Sequence, residues 1–141
     1  MGWAIGASIG TAFACPGDPV VVFCGDGAFL MSGQEITVAL EHHLNVVFII
    51  LNDSSLGMVK HGQKLSGAEE IGSSLPKVNF AKMARSMGIT AYTIRSTQDL
   101  LELPRETIIN SNAPALLDVH IDPNEVPPID LRTNAIKQKE V

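Results

Sequence analysis

At 141 residues, the chain has room for one domain with a sizeable core. Hydrophobic residues make up 45% and aromatic residues 5%, so the core reads as aliphatic, layered from sheet and helix. The net charge is −5 with no run of lysine or arginine; this argues against a binder of nucleic-acid backbones, and makes a metal ion the obvious partner for any bound anion.

Residues 1–14 are small and apolar, and Gly2, Gly6 and Gly10 recur every four positions on one helix face. Such a stripe suits close approach of a second helix in the same domain, of another subunit or of a cofactor. The helix pattern starts at residue 1 with no lead-in, so the chain reads as a piece of something longer. Pro16-Gly17-Asp18-Pro19 is a turn. Residues 20–24 are a continuous apolar run, the pattern of a parallel strand buried on both faces. Gly25-Asp26-Gly27 breaks that strand. Ser32-Gly33-Gln34-Glu35 has the form of a capping box and predicts a helix over 33–43. Residues 46–51 make the second buried strand, which Asn52-Asp53-Ser54-Ser55 ends with turn formers.

A short helix is predicted over 57–65, a loop over 66–77, and a helix over 80–87 that stops at Gly88 in the C′ position. The third strand is predicted at 90–94, a helix capped by Ser96 and Asp99 reaching about residue 110, and the fourth strand at 115–121. The tail from Asp122 is polar and holds three prolines, which predicts extended chain. This βαβα order predicts an open, mostly parallel α/β sheet with helices on both faces. Cys15 and Cys24 read as reduced thiols, which fits a cytoplasmic protein. The N-terminus lacks the charged region of a signal peptide. The longest wholly apolar run, 46–51, is far too short to span a membrane.

In sheets of this kind ligands bind beyond the carboxyl ends of the strands. Asp26 and Asp53 each follow a buried strand, so neighbouring strands would bring the two carboxylates together. Two facing carboxylates repel unless a cation lies between them, and Mg²⁺ prefers oxygen ligands with positions left for phosphate or water. Gly25 and Gly27 would let main chain approach a phosphate, with a helix N-terminus nearby. No Gly-x-Gly-x-x-Gly follows a strand and no Gly-x-x-x-x-Gly-Lys occurs, so dinucleotide and P-loop readings lack support. A Mg²⁺-dependent phosphate- or nucleotide-binding domain, or a non-catalytic assembly module, remains as an alternative from the residues alone.

Gly25-Asp26-Gly27, followed across a helix and a strand by Asn52-Asp53, resembles the thiamine-diphosphate motif. Met1-Gly2-Trp3 through Ile9-Gly10, Ala28-Phe29, Gln34-Glu35 and Leu56-Gly57-Met58-Val59 are similar to the acetolactate synthase and 2-oxo-acid decarboxylase group. So are the segments Phe80-Ala81-Lys82-Met83-Ala84, Met87-Gly88 and Pro114-Ala115-Leu116-Leu117-Asp118-Val119. The resemblance implies that residues 1–141 form the domain that binds the Mg²⁺-diphosphate end of thiamine diphosphate. Asp26 and Asp53 would bind Mg²⁺ through side chains and Ser55 through its carbonyl. Gly25, Gly27 and Ala28 would line the diphosphate. Met1 would stand where the family props the bent cofactor, at an internal position rather than a start, and Gly2 beside the aminopyrimidine. Leu56 and Met58 would wall the thiazolium and substrate, and Gly57 would also be cofactor-binding.

The implied enzyme is a carboligase or decarboxylase acting on a 2-oxo acid, either acetolactate synthase-like or a decarboxylase or 2-hydroxyacyl lyase. It would be a homodimer or homotetramer. No catalytic residue is expected in this domain, because the family's activating glutamate lies on a pyrimidine-binding domain of a partner subunit. This chain alone should therefore not turn over. Two departures stand out: Asp53 occupies a position that is usually asparagine, and Gly62 one that is tryptophan in biosynthetic acetolactate synthases. Lys60 and His61 read as part of a solvated helix face, and neither His42-His43 nor His120 reads as catalytic.

Overall fold

A computed structural model describes residues 1–126. The expected tail beyond that lies outside the described residues. The elements are α1 (Trp3–Ala14), β1 (Val20–Gly25), α2 (Asp26–Ser32), a 3₁₀ turn (Gly33–Glu35), α3 (Ile36–Glu41), β2 (Val46–Asn52), α4 (Gly57–Leu65), α5 (Phe80–Ser86), β3 (Thr90–Ile94), α6 (Thr97–Leu101), α7 (Arg105–Ile109) and β4 (Ala115–His120). All four strands run parallel, in the order β1-β2-β4-β3.

One face of the sheet carries the main core. Ile5 and Ile9 of α1, Phe29 of α2, Ile36 of α3 and Phe80 and Ala84 of α5 pack on Phe48, Ile50 and Leu116 of the strands. Phe29 and Phe80, both essentially without solvent contact, meet edge to face with centroids 5.3 Å apart. The other face is covered more thinly, by Ile108 of α7 and Leu103 against Val47, Leu117 and Tyr92. That cover stops short of β1. Val21 and Phe23, expected to be buried, are 51% and 64% exposed, so β1 is buried on one face only.

Two helices depart from expectation. The predicted break after β1 is in fact the first turn of α2, which starts at Asp26. Ser32 does not cap a helix; its hydroxyl donates to the Gly2 carbonyl at 2.8 Å. The span 33–43 becomes a 3₁₀ turn followed by the short α3, and Gly33 is where the chain tightens over the Phe29 ring. The predicted helix reaching 110 divides into α6 and α7 at Pro104. Proline lacks the N–H that a continuous helix needs, and it disfavours helical backbone at the residue before it. The Ser96–Asp99 capping box is present as read: the Asp99 N–H donates to Ser96 Oγ and the Ser96 N–H to Asp99 Oδ2. Gly88 ends α5 with φ +87, a backbone angle that favours glycine.

Of the glycine stripe only Gly2, just before α1, lies against another helix, beside Met31 and Ser32 of α2. A Cβ at Gly6 or Gly10 would meet nothing within 4 Å, so the close-packing reading inside this domain fails. No helix among the described residues is long and apolar enough to cross a membrane.

Candidate functional site

β1 and β2 are paired neighbours with Gly25 opposite Leu51, so the residues that follow them emerge side by side at the carboxyl end of the sheet. Asp26 is 3% exposed there. Its Oδ1 accepts the Gly27 N–H at 2.7 Å, and its Oδ2 accepts the Ser54 N–H, also at 2.7 Å. The two turns are thus joined directly. Ser54 takes a left-handed backbone with φ +56, uncommon for a residue with a side chain. Asp53 Oδ1 and Oδ2 accept the N–H and hydroxyl of Ser55, at 3.0 and 2.8 Å.

The far side of the turn is held by the loop before α5. Leu56 N–H donates to the Ser73 carbonyl at 2.7 Å and Leu75 N–H to the Ser54 carbonyl at 2.8 Å, a short antiparallel bridge centred on Ser55 and Ser74. Those bonds use the Ser54 carbonyl and the Leu56 N–H, and the Ser55 carbonyl lies outside them.

The Asp26 carboxyl is pushed above the usual carboxylate range. Burial is the main cause, the nearby Asp53 charge adds to it, and the N–H donors of Gly27, Ser54 and Ser55 oppose it. A cation between Asp26 and Asp53 would relieve both the burial and the repulsion. Each Asp26 oxygen accepts one N–H and keeps another lone-pair direction. The donor set on offer is two carboxylates with a main-chain carbonyl nearby, which suits a hard divalent ion completed by phosphate oxygens or water. Among the described residues, no three Asp, Glu, His or Cys side chains converge to hold a metal unaided. Any cation here therefore needs oxygens that the side chains do not supply.

Two shallow cavities meet at Asp26. One, of about 160 Å³, is lined by Met1, Gly25, Asp26, Gly27, Ala28, Ser55, Leu56, Gly57 and Met58, together with Val59. The other, of about 240 Å³, brings in Asp53, His61 and, from the segment after β4, Ile121, Asp122 and Glu125. Every candidate site residue therefore reaches one of the two cavities except Gly2, which packs beside Met31 and Ser32. A larger cavity of about 310 Å³ lies around Phe13, His42 and Asn45. It sits at the amino ends of the strands, the wrong end of a parallel sheet for a ligand.

The glycines play separate parts. A Cβ on Gly25 would meet nothing within 4 Å, which leaves its surface open to a ligand. One on Gly27 would come within 2.5 Å of Leu56 Cδ2, so packing against Leu56 by itself calls for glycine at Gly27. One on Gly57 would come within 3.1 Å of Asp53 Oδ2, and its absence leaves room beside that carboxylate.

Two residues of the region escaped the sequence reading. His61 is not on a solvated face: it is 5% exposed, lines the second cavity, and its Nδ1 has no hydrogen-bond partner. Asp118, with no solvent exposure, lies behind the Asn52 turn in the middle of β4. The available signal was an acidic residue within the buried run Leu116-Leu117-Asp118-Val119.

Residues 1–119 match the family described as thiamine pyrophosphate enzyme, C-terminal TPP binding domain. The chain belongs to this family. It is 37% identical over 146 residues to the "Probable acetolactate synthase large subunit" of Methanocaldococcus jannaschii, covering 97% of this chain and 24% of that protein. It is 35% identical over 127 residues to the acetolactate synthase isozyme 1 large subunit of Escherichia coli K12, covering 89% of this chain and 22% of that one. The thiamine diphosphate-dependent 4-hydroxybenzoylformate decarboxylase of Rhodococcus jostii RHA1 superposes with a TM-score of 0.79 at 24% identity, covering 86% of this chain and 23% of that chain. At that identity the likeness speaks for the fold alone. The chain spans about a quarter of the length of these relatives. It is thus a thiamine pyrophosphate-binding α/β domain whose relatives include acetolactate synthase large subunits.

Proposed function

We propose that this domain grips the diphosphate end of thiamine diphosphate through a Mg²⁺ ion held by the Asp26 and Asp53 carboxylates and the Ser55 carbonyl. The observation that carries the reading is the 2.7 Å bond from Ser54 N–H to Asp26 Oδ2, which locks the two donor turns together at the carboxyl edge of the sheet. When bound, thiamine diphosphate supplies the electron sink for decarboxylating a 2-oxo acid. The chain's own residues bind and orient. Asp26 and Asp53 hold the cation, while Gly25 and the first-turn N–H of Ala28 face the diphosphate. Met1 props the bent cofactor, and Leu56 and Met58 line the thiazolium side.

In the complete enzyme the product of decarboxylation is either released after protonation or joined to a second carbonyl compound, as the acetolactate synthase relatives suggest. The activating glutamate comes from a pyrimidine-binding domain of a partner subunit in a homodimer or homotetramer, and this domain belongs to a larger multidomain chain. Gly62, in place of a tryptophan, leaves open space with nothing within 4 Å of a would-be Cβ. The missing tryptophan supports a substrate pocket unlike that of the biosynthetic synthases.

Calorimetry of thiamine diphosphate binding with and without Mg²⁺ tests the clamp. Binding that requires Mg²⁺ is the expected result, and equal affinity in its absence rejects it. Product analysis with pyruvate, with and without an aldehyde acceptor, then separates ligation from simple decarboxylation.

A further inference from the structure

Asp118 sits at zero exposure in β4, the strand beside β2, directly behind the proposed metal turn. Its Oδ1 accepts Asn52 Nδ2–H at 2.8 Å. Its Oδ2 accepts the main-chain N–H of Phe80 at 3.0 Å and, more weakly, that of Ala81 at 3.5 Å. One carboxyl group thereby ties the end of β2 to the start of α5.

Asn52 carries the tie onward. It is 3% exposed, its amide also donates to the Val78 carbonyl at 3.2 Å, and its own carbonyl accepts Ile121 N–H at 3.1 Å. Its Oδ1 lies 3.5 Å from Ser54 Oγ. Asn52 is the last residue of β2, so the next two residues are Asp53 and the Ser54 whose N–H holds Asp26. A buried carboxyl in an apolar strand is costly unless its hydrogen bonds are made, and these bonds leave Asp118 and Asn52 a single arrangement.

We propose that Asp118, acting through Asn52, is a positioning residue that holds the Asp53–Ser55 oxygens in place for the divalent cation. This rests on reading Asp26 and Asp53 as the cation site. Asp118 itself does not line the cavities at Asp26. Its effect is to fix where β2 ends and the donor turn begins, as groups behind metal ligands commonly do.

The test uses the protein as it occurs, loaded with thiamine diphosphate, with Mn²⁺ as the probe and its affinity read by electron paramagnetic resonance. Asp118→Asn places an amide where Asn52 or Phe80 now donates, and is expected to weaken Mn²⁺ binding by about tenfold or more in folded protein. Asn52→Ala removes the link from Asp118 to the turn, together with the bond to the Val78 carbonyl, and leaves Asp118 Oδ2 capping α5, so it serves where Asp118→Asn does not fold; the same loss of affinity is expected. The double exchange Asn52→Asp with Asp118→Asn restores a donor–acceptor pair, and should recover part of the affinity lost in Asp118→Asn. Folded single variants that bind Mn²⁺ as the parent does, whatever their melting temperatures, overturn the proposal. A parent protein that binds no Mn²⁺ would instead reject the cation site itself.

Discussion

Ser54 donates its main-chain N–H to Asp26 Oδ2 across 2.7 Å, so the turn after β2 is anchored on the carboxylate that follows β1. Asp26→Ala removes both a proposed metal ligand and this anchor. Mg²⁺-dependent binding of thiamine diphosphate to the whole protein should fall at least about tenfold, as read by calorimetry. The Ser54 N–H left behind loses its partner, which costs about 1–3 kcal/mol of stability in denaturant unfolding.

Asp53→Asn should separate charge from coordination. The amide oxygen can still accept from Ser55 and face a cation, but the repulsion toward Asp26 disappears. The metal-free protein should therefore melt higher, while Mg²⁺ affinity falls because one anionic ligand is gone. Thermal scans with and without Mg²⁺ should show a smaller metal-induced rise than in the parent protein.

Gly33→Ala tests the tightening after α2. The new methyl would lie 2.5 Å from Phe29 Cε1, and that ring is fully buried and held against Phe80. Overpacking of this kind costs about 1–3 kcal/mol, to be read as a lower midpoint in urea.

The Asp99 carboxyl is held below its ordinary range, chiefly by the Arg95 N–H and then by the Ser96 hydroxyl. A carboxyl depressed in the folded protein adds stability above its unfolded value and loses it as pH falls through the folded one. Asp99→Asn should thus lower the melting temperature at neutral pH. The gap from the parent should close on acidification below the normal carboxylate range, where both proteins lack the charge.

The strands were readable because each is a short apolar run ended by turn formers, and the structure finds them within a residue or so of their expected ends. The pairing of Asp26 with the Asn52 turn was readable too, since both follow strands. The insertion of β4 between β2 and β3 was not, because strand order depends on how helices cross the sheet and no local pattern records it. Pro104 did carry the signal that divides α6 from α7, but the Ser96 cap drew the helix through it. Ser32 carried a capping pattern without the cap, because the helix had already begun at Asp26 and the hydroxyl found the Gly2 carbonyl instead. His61 looked solvated from its polar neighbours Lys60 and Gln63, yet on α4 it turns toward the end of the sheet, where Gly57 leaves space. Asp118 was hidden inside a run that otherwise reads as ordinary core.

β1 is an edge strand of the described sheet, with Val21 and Phe23 open on one face and no charged residue between Val20 and Gly25. Natural sheets protect such edges with lysine, proline, a bulge or a covering element. Produced by itself at high concentration, this domain is therefore set to self-associate strand against strand. For work on the isolated domain, a lysine in place of Phe23 is the first remedy to try.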